Sequence, residues 1–432
     1  MNKKIAMILL PLQVCPGESS VSTLLLNLAI ENEIYNAMNI TIISKYDKEA
    51  LEKSKKYNNT NFTYIKLTKL DQLLIYVYRI IKKVFRKKIF FLDRYYYKCY
   101  KVCQKENFDN IIVEAGQYKS YKKYAEKLGK EKMILHLHQE DYTKECNDIF
   151  SKVICVSDYL KKYLIKNFNL KPEQVLVVKN AINIEKFKQK INISEKNKLR
   201  KKIGLSPTEF VVLFCGRIFE SKGVLELIKS FKNMPSDIKL LVIGDLKSSS
   251  KEYENKIKKE SNLLSDKVIN TGYVKNENMH KYYQIADIQA IPSTWEEPAG
   301  LVAIEGMISG LPIVATKSGG MIEYINKDCA IIIEKEQALI ENLEKAILKL
   351  YQNEKLRKIM SKNGINTAKQ FNTKQYYVDF KDAINKLNNW KYWIWFIRRI
   401  KCRCLIKKNK AFDYKKLNEI KIFIKNYFDD FI

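Results

Sequence analysis

Pro292-Ser293-Thr294-Trp295-Glu296-Glu297-Pro298-Ala299-Gly300-Leu301-Val302-Ala303-Ile304-Glu305 follows the apolar run Ile288–Ile291 and leads into a helical pattern. It reads as a loop at the carboxyl end of a buried strand. Pro298 suits the first helical positions, where a missing N–H costs nothing. The amides of Ala299, Gly300 and Leu301 then point out of a helix N-terminus, an anion site, and Gly300 has no Cβ to hinder a ligand. Glu297 lies in the loop; Glu305 falls about two turns further on, on the face of the helix start. Two carboxylates bracketing an anion site suit a molecule with phosphate between two sets of hydroxyls, such as a nucleotide-sugar. The plain alternative is a helix cap at Glu297 and a solvated charge at Glu305, and this stretch alone leaves both open.

Working outward, Phe214-Cys215-Gly216-Arg217-Ile218-Phe219-Glu220-Ser221-Lys222-Gly223 also leaves a strand end. Arg217 and Lys222 are two fixed cations of the kind that neutralise a diphosphate leaving group. The rival reading is two ordinary surface cations in a basic chain. Upstream, Ile5–Leu10, Ile40–Ile43, Phe62–Leu67, Ile111–Glu114, Met133–His138, Val153–Val156 and Val175–Val178 read as strands. Downstream, Phe210–Cys215, Lys239–Ile243, Val268–Tyr273, Ile288–Ile291, Ile313–Ala315 and Ala330–Ile333 read the same way. These runs are nearly continuous rather than alternating, as in parallel strands buried on both faces. Helical stretches lie between them, including Gln72–Val84, Tyr118–Leu128 and Asn278–Ile285. The expected fold is α/β, with two Rossmann-like doubly wound domains facing across a cleft. The expected boundaries are 1–186, a basic linker 187–204, 205–370, a closing helix 371–388 and a basic aromatic tail 389–432.

The chain has 432 residues, 46% of them apolar, and 78 Lys+Arg against 48 Asp+Glu, a formal charge of +30. Its length supports a sizeable core, and its apolar content argues against disorder. With 14 Gly and 8 Pro it is not collagen-like. No apolar run approaches the roughly 20 residues that span a bilayer. Lys3-Lys4, Ile5 to Leu12 and Cys15 imitate a lipoprotein signal, but the apolar stretch is short and reads as a first strand. Nine scattered cysteines without paired C-x₂-C motifs read as reduced core residues rather than a zinc site. Leu135-His136-Leu137-His138 places two histidines on one face of a strand. That pair is compatible with metal, yet the local sequence offers no third ligand. A hydrogen-bonded interior histidine is the plain alternative.

The stretches Gly216–Gly223 and Pro292–Gly320 resemble the retaining glycosyltransferases of family 4, which have the GT-B fold. The resemblance rests on Pro292-Ser293, Glu297-x₇-Glu305, Gly310-Leu-Pro312-Ile-Val-Ala315-Thr316, Gly319-Gly320 and Glu323. Weaker echoes at Val156-Ser157, Lys179–Asn183 and Gly272-Tyr273 extend it over about residues 1–385. The resemblance implies roles for particular residues. Glu297 would contact the donor sugar. His138 would lie near sugar and acceptor. Arg217, Lys222 and the amides around Gly300 and Leu301 would hold the diphosphate, and Glu305 the ribose. Gly17 and Glu18 would form the sugar and acceptor loop. It also implies no metal and no cofactor beyond the donor. Configuration would be retained, with the departing phosphate deprotonating the acceptor. Three positions depart from the family pattern: the single Gly17 after strand one, Asn180-Ala181-Ile182-Asn183, and Ala299.

Arg79, Lys82, Lys83, Arg86, Lys87, Lys88, Arg94, Lys98 and Lys101 are interleaved with Phe and Tyr, and the tail after Trp390 repeats that chemistry. Basic aromatic segments suit an anionic membrane surface; the plain alternative is solubilising charge. Nucleic acid is not the expected partner, because no recognition motif accompanies the charge. The expected protein is a cytoplasmic enzyme, peripheral on the inner face of the cell membrane. It would move a hexose or N-acetylhexosamine from a nucleotide-diphosphate sugar, a UDP-sugar before others, to a cell-surface glycan or lipid-linked acceptor. The alternatives are another sugar-nucleotide enzyme of this fold, such as an epimerase, and a non-catalytic basic membrane- or polyanion-binding protein.

Overall fold

The computed structural model describes residues 3–17, 19–84, 89–114, 116–246, 250–335 and 338–387, the side chains of Lys82 and Val84 excepted. Thirteen strands occur among them: β1 Lys4–Ile8, β2 Asn39–Lys45, β3 Thr60–Ile65, β4 Asn110–Val113, β5 Met133–Leu137, β6 Lys152–Cys155, β7 Val175–Val177, β8 Phe210–Cys215, β9 Ile238–Ile243, β10 Val268–Gly272, β11 Ile288–Ile291, β12 Ile313–Thr316 and β13 Ala330–Ile333. They form two sheets, in the orders β3-β2-β1-β4-β5-β6-β7 and β10-β9-β8-β11-β12-β13, and every neighbouring pair is parallel. The chain belongs to the expected α/β class with two Rossmann-like sheets.

The continuous apolar strands are explained by burial on both sides. In β8, Val211, Leu213 and Cys215 join one core of the second sheet, while Phe210, Val212 and Phe214 join the core on its other face. Helix ends follow local chemistry. Ser19 caps the Ser20–Tyr35 helix by accepting from the Ser22 amide at 3.1 Å. Asn36, Asn107 and Asn169 end helices in the left-handed conformation that asparagine tolerates.

Topology fixes where a ligand can sit. In each sheet the strand order reverses once, at β1/β4 and at β8/β11. Loops leaving a doubly wound sheet diverge there and open a crevice at the carboxyl ends. The loop after β1 carries Gly17, and Glu114 follows β4. Arg217 and Lys222 follow β8, and the Pro292–Leu301 loop follows β11.

Two helical expectations are corrected below. The basic stretch expected as a linker carries helices over Ile184–Lys188 and Ile193–Lys202, capped by Asn183 and Asn192. Their basic composition hid Arg200, whose buried guanidinium donates to the carbonyls of Ile285, Ser206, Pro207 and Glu209. Tyr118–Leu128 is not one helix. It divides into a 3₁₀ turn at Tyr118–Tyr121, a short helical piece at Lys122–Tyr124 and a π turn at Ala125–Gly129. The helix after β11 begins at Leu301 with Gly300 as its cap, so Pro298 precedes the helix instead of opening it.

The chain divides into two compact units, Met1–Ala383 and Ile384–Ile432. Of the second, only residues 384–387 are described, and they are helical. The tail 389–432 and Glu18 lie outside the described residues.

Candidate active site

The loops after β8 and β11 clamp together. Gly223, at φ +67°, leaves no room for a side chain: a Cβ there would lie 1.9 Å from the Pro292 carbonyl oxygen. The Thr294 amide donates to the Ser221 carbonyl at 3.0 Å. This clamp brings Lys222 onto Glu297, with Nζ 2.5 Å from Oε1. Ser293 donates to the same oxygen at 2.5 Å, and the Lys222 ammonium stands 5.0 Å from the Trp295 ring centroid. Glu297 is 8% exposed. Its own amide donates to Ser318 Oγ at 2.9 Å, and its carbonyl accepts from the Gly320 amide at 2.6 Å. It is therefore held from three sides, and it does not cap the next helix, which has no side-chain cap. The first amides of that helix, from Leu301 onward, are left for a ligand or solvent.

Arg217 is exposed and lies 5.2 Å from the Phe219 ring centroid. It shares the loop with Lys222 but takes no ion pair among the described residues. Glu305 forms a separate cluster: Tyr283 Oη donates to its Oε2 at 2.7 Å and lies 2.8 Å from Cys215 Sγ. Burial pushes the Glu305 carboxyl up to about 7, against smaller opposing effects of the Tyr283 bond and the Lys186 charge. All seven described cysteines are buried and free.

On the first sheet, His136 and His138 both turn to Glu114. His136 Nδ1 lies 2.9 Å and His138 Nε2 3.0 Å from the same oxygen, Glu114 Oε2. The ring centroids are 4.2 Å apart. The expectation that no third group accompanies the histidines is thus corrected. Glu114 supplies it, and ligand atoms of all three lie within 4.8 Å of one another. The missed signal was a carboxylate closing an otherwise apolar strand, Ile111-Ile112-Val113-Glu114. Gly17 lies beside the cis Cys15–Pro16 bond, and a Cβ there would come 2.3 Å from the Val14 carbonyl oxygen.

The second domain is tied to the first next to Glu297. Glu323 accepts from the amides of Asp158 at 3.0 Å and Tyr159 at 2.7 Å, at the start of the first domain's Asp158–Phe168 helix. Tyr324 Oη donates to the Val156 carbonyl at 2.8 Å and accepts from the Asn180 amide at 3.0 Å. A cavity of about 630 Å³ opens in the first domain, lined in part by Tyr78, Asp93, Gly116, Lys119, Lys123 and Asp141.

Residues 195–367 match the family described as Glycosyl transferases group 1. The chain is 31% identical over 224 residues to the lipopolysaccharide 1,2-N-acetylglucosaminetransferase of Salmonella typhimurium, covering 50% of this chain and 57% of that protein. It is 26% identical to the alpha-monoglucosyldiacylglycerol synthase of Acholeplasma laidlawii, covering 67% and 74%. The chain spans about half the length of several curated relatives it matches, 45 to 60% in three of them. Anabaena Alr3699/HepE, solved with UDP-glucose, shares the fold, with a TM-score of 0.70 at 18% identity over 89% of this chain and 100% of that one.

Proposed function

We propose, from the premise that residues 195–367 form a domain of the group 1 glycosyl transferases, that the protein moves a hexose or N-acetylhexosamine from a UDP-sugar to a cell-surface glycan or lipid-linked acceptor, with retention. One observation carries this reading. The cation expected to hold the diphosphate and the carboxylate expected to hold the sugar are in contact at the β8/β11 switch point.

Lys222 and Glu297 neutralise each other. An incoming diphosphate offers Lys222 a stronger counter-charge. Lys222 and Arg217 then neutralise the charge that grows on the leaving diphosphate, so donor activation needs no metal ion. Glu297, released from Lys222, accepts a hydroxyl of the donor sugar. The amides at Leu301 receive the distal phosphate, and Glu305 accepts from the ribose. The departing phosphate takes the acceptor's proton on the face it leaves, which retains configuration.

The acceptor reading draws on the first domain. Tyr78 of the Lys69–Val84 helix lines the 630 Å³ cavity. The same helix exposes Leu70, Leu73, Tyr76, Val77 and Ile80, spaced as one face of a helix. Lys69, Arg79 and Lys83 are also exposed on it. An apolar face beside basic side chains lies in an anionic membrane interface, so a lipid-linked acceptor would reach the cavity from that surface. No described helix is long and apolar enough to cross a membrane; the protein would work from the inner face, with its basic tail as a second contact.

The deciding experiment is a donor screen by thermal shift and slow hydrolysis, using UDP-, GDP- and ADP-sugars with and without Mg²⁺. A UDP-sugar that stabilises the fold and is hydrolysed without metal is the expected result. Absence of binding at millimolar concentration would overturn the proposal.

A further inference from the structure

Glu114 has an arrangement that the reading above does not use. It is a fully buried carboxylate at the carboxyl end of β4, beside the switch point of the first sheet. One oxygen, Oε2, takes both histidine nitrogens. The other, Oε1, is buried without a partner. Two imidazoles are thus the carboxylate's side-chain partners. A carboxylate only accepts, so each ring must present an N–H to it. His136 is then protonated on Nδ1 and His138 on Nε2. A neutral imidazole carries one proton, which leaves His138 Nδ1 bare.

The electrostatics favour a neutral His138 ring. Burial pushes the Glu114 carboxyl up, and the two histidines outweigh it and hold Glu114 down at about 2. Burial and the neighbouring His136 hold His138 below its ordinary value. His138 is 13% exposed on its side chain, whereas His136 is sealed. No bond to His138 Nδ1 occurs among the described residues, and that atom is not among the buried unpartnered ones, unlike His136 Nε2. His138 follows β5 at the carboxyl edge, the edge at which the crevice of a doubly wound sheet opens.

We propose that Glu114 is a positioning residue that locks His138 in the Nε2–H tautomer, so that His138 Nδ1 accepts a hydrogen bond from a sugar hydroxyl in the cleft. The inference rests on the glycosyl-transfer reading. The hydroxyl belongs to the donor or to the acceptor, and both use the same chemistry. Glutamine at position 114 can donate as well as accept. It would let one ring turn its lone pair inward, and the tautomer would no longer be fixed.

The test compares wild type, Glu114→Gln and Glu114→Asp in the full-length protein. Nitrogen NMR of the imidazoles at pH 8 reports each tautomer, and with three histidines in the chain single His→Ala variants complete the assignment. Wild type should show His138 protonated on Nε2 and bare on Nδ1. Glu114→Gln should lose that signature and lower kcat at least roughly 10-fold, with KM for the donor little changed; Glu114→Asp should restore part of both. Donor hydrolysis without acceptor assigns the hydroxyl. If hydrolysis falls with transfer it is the donor's; if transfer alone falls it is the acceptor's. A wild-type His138 protonated on Nδ1 would overturn the proposal even if the variants fail to fold. So would a Glu114→Gln enzyme with unchanged kcat, or stoichiometric Zn²⁺ or Co²⁺ on this cluster that activity requires. If no nucleotide-sugar binds wild type, the transferase reading fails, and the tautomer measurement stands apart from it.

Discussion

At the scale of single residues, the proposed chemistry turns on which partner each charge holds before the donor arrives. Lys222 has Glu297, and Arg217 has, among the described residues, an aromatic ring and no ion pair. Lys222→Ala should weaken UDP-sugar binding by at least roughly 10-fold in calorimetry, since a charge-assisted contact is lost. Glu297→Gln should leave nucleotide binding largely intact and lower turnover by roughly 100-fold or more. Normal turnover in that variant would remove Glu297 from the mechanism. Glu305 gives a pH signature. A ribose hydroxyl donates best to an ionised carboxylate, so nucleotide affinity should fall as pH drops below about 7. The sign for stability is opposite. Because the folded value is raised from 4.5 to about 7, Glu305 contributes most stability below the unfolded value and loses it as pH rises through 7. Glu305→Gln should therefore stabilise the fold at pH 8 by up to roughly 3 kcal/mol, read as a higher melting temperature, change it little at pH 4.5, and weaken UDP. Thermal scans at the two pH values check this.

At the scale of elements, the Lys69–Val84 helix was visible in the sequence as a basic aromatic segment, but its faces were not. Arg94 and Lys98, counted there among the membrane-facing cations, are instead tied to the buried Asp71. They hold the next helix, Arg94–Glu106, to this one and hold the Asp71 carboxyl well below its usual range. The side chains of Lys82, Arg86, Lys87 and Lys88 lie outside the described residues. The apolar face at Leu70, Leu73, Val77 and Ile80 replaces that cation count as the argument for a lipid surface. The double variant Leu73→Glu, Ile80→Glu should lower binding to anionic vesicles in a sedimentation assay while leaving UDP affinity unchanged. Retained vesicle binding would send the membrane contact elsewhere, with removal of residues 390–432 as the next test.

At the scale of the whole molecule, Glu323 and Tyr324 of the second domain reach the first. Glu323 takes two amides at the start of the Asp158–Phe168 helix, and Ser157 takes the Leu160 amide at 3.3 Å. A capping contact made across two domains couples their positions to the loop holding Glu297. Glu323→Ala should cost about 1 kcal/mol of stability and lower kcat more than it raises the donor KM. An unchanged kcat would mean the contact is structural only.

The fold class and the loops of the candidate site were legible in the sequence alone. Strands buried on both faces must be apolar throughout, and β8 and β11 announce themselves that way. Ser293, Glu297 and Gly319-Gly320 were legible because a loop at a strand end has few residues that can hold an anion or permit close approach. The sequence did not determine pairings between residues far apart in the chain. Glu114 and His138 are 24 positions apart, and Lys222 and Glu297 are 75. Arg200 reads as one more cation in a basic stretch until five of its bonds are seen to end on carbonyls. A charged side chain looks the same in sequence whether it is solvated or satisfied. Only the tertiary structure decides, because burial and a partner's lone pair are supplied by other parts of the chain.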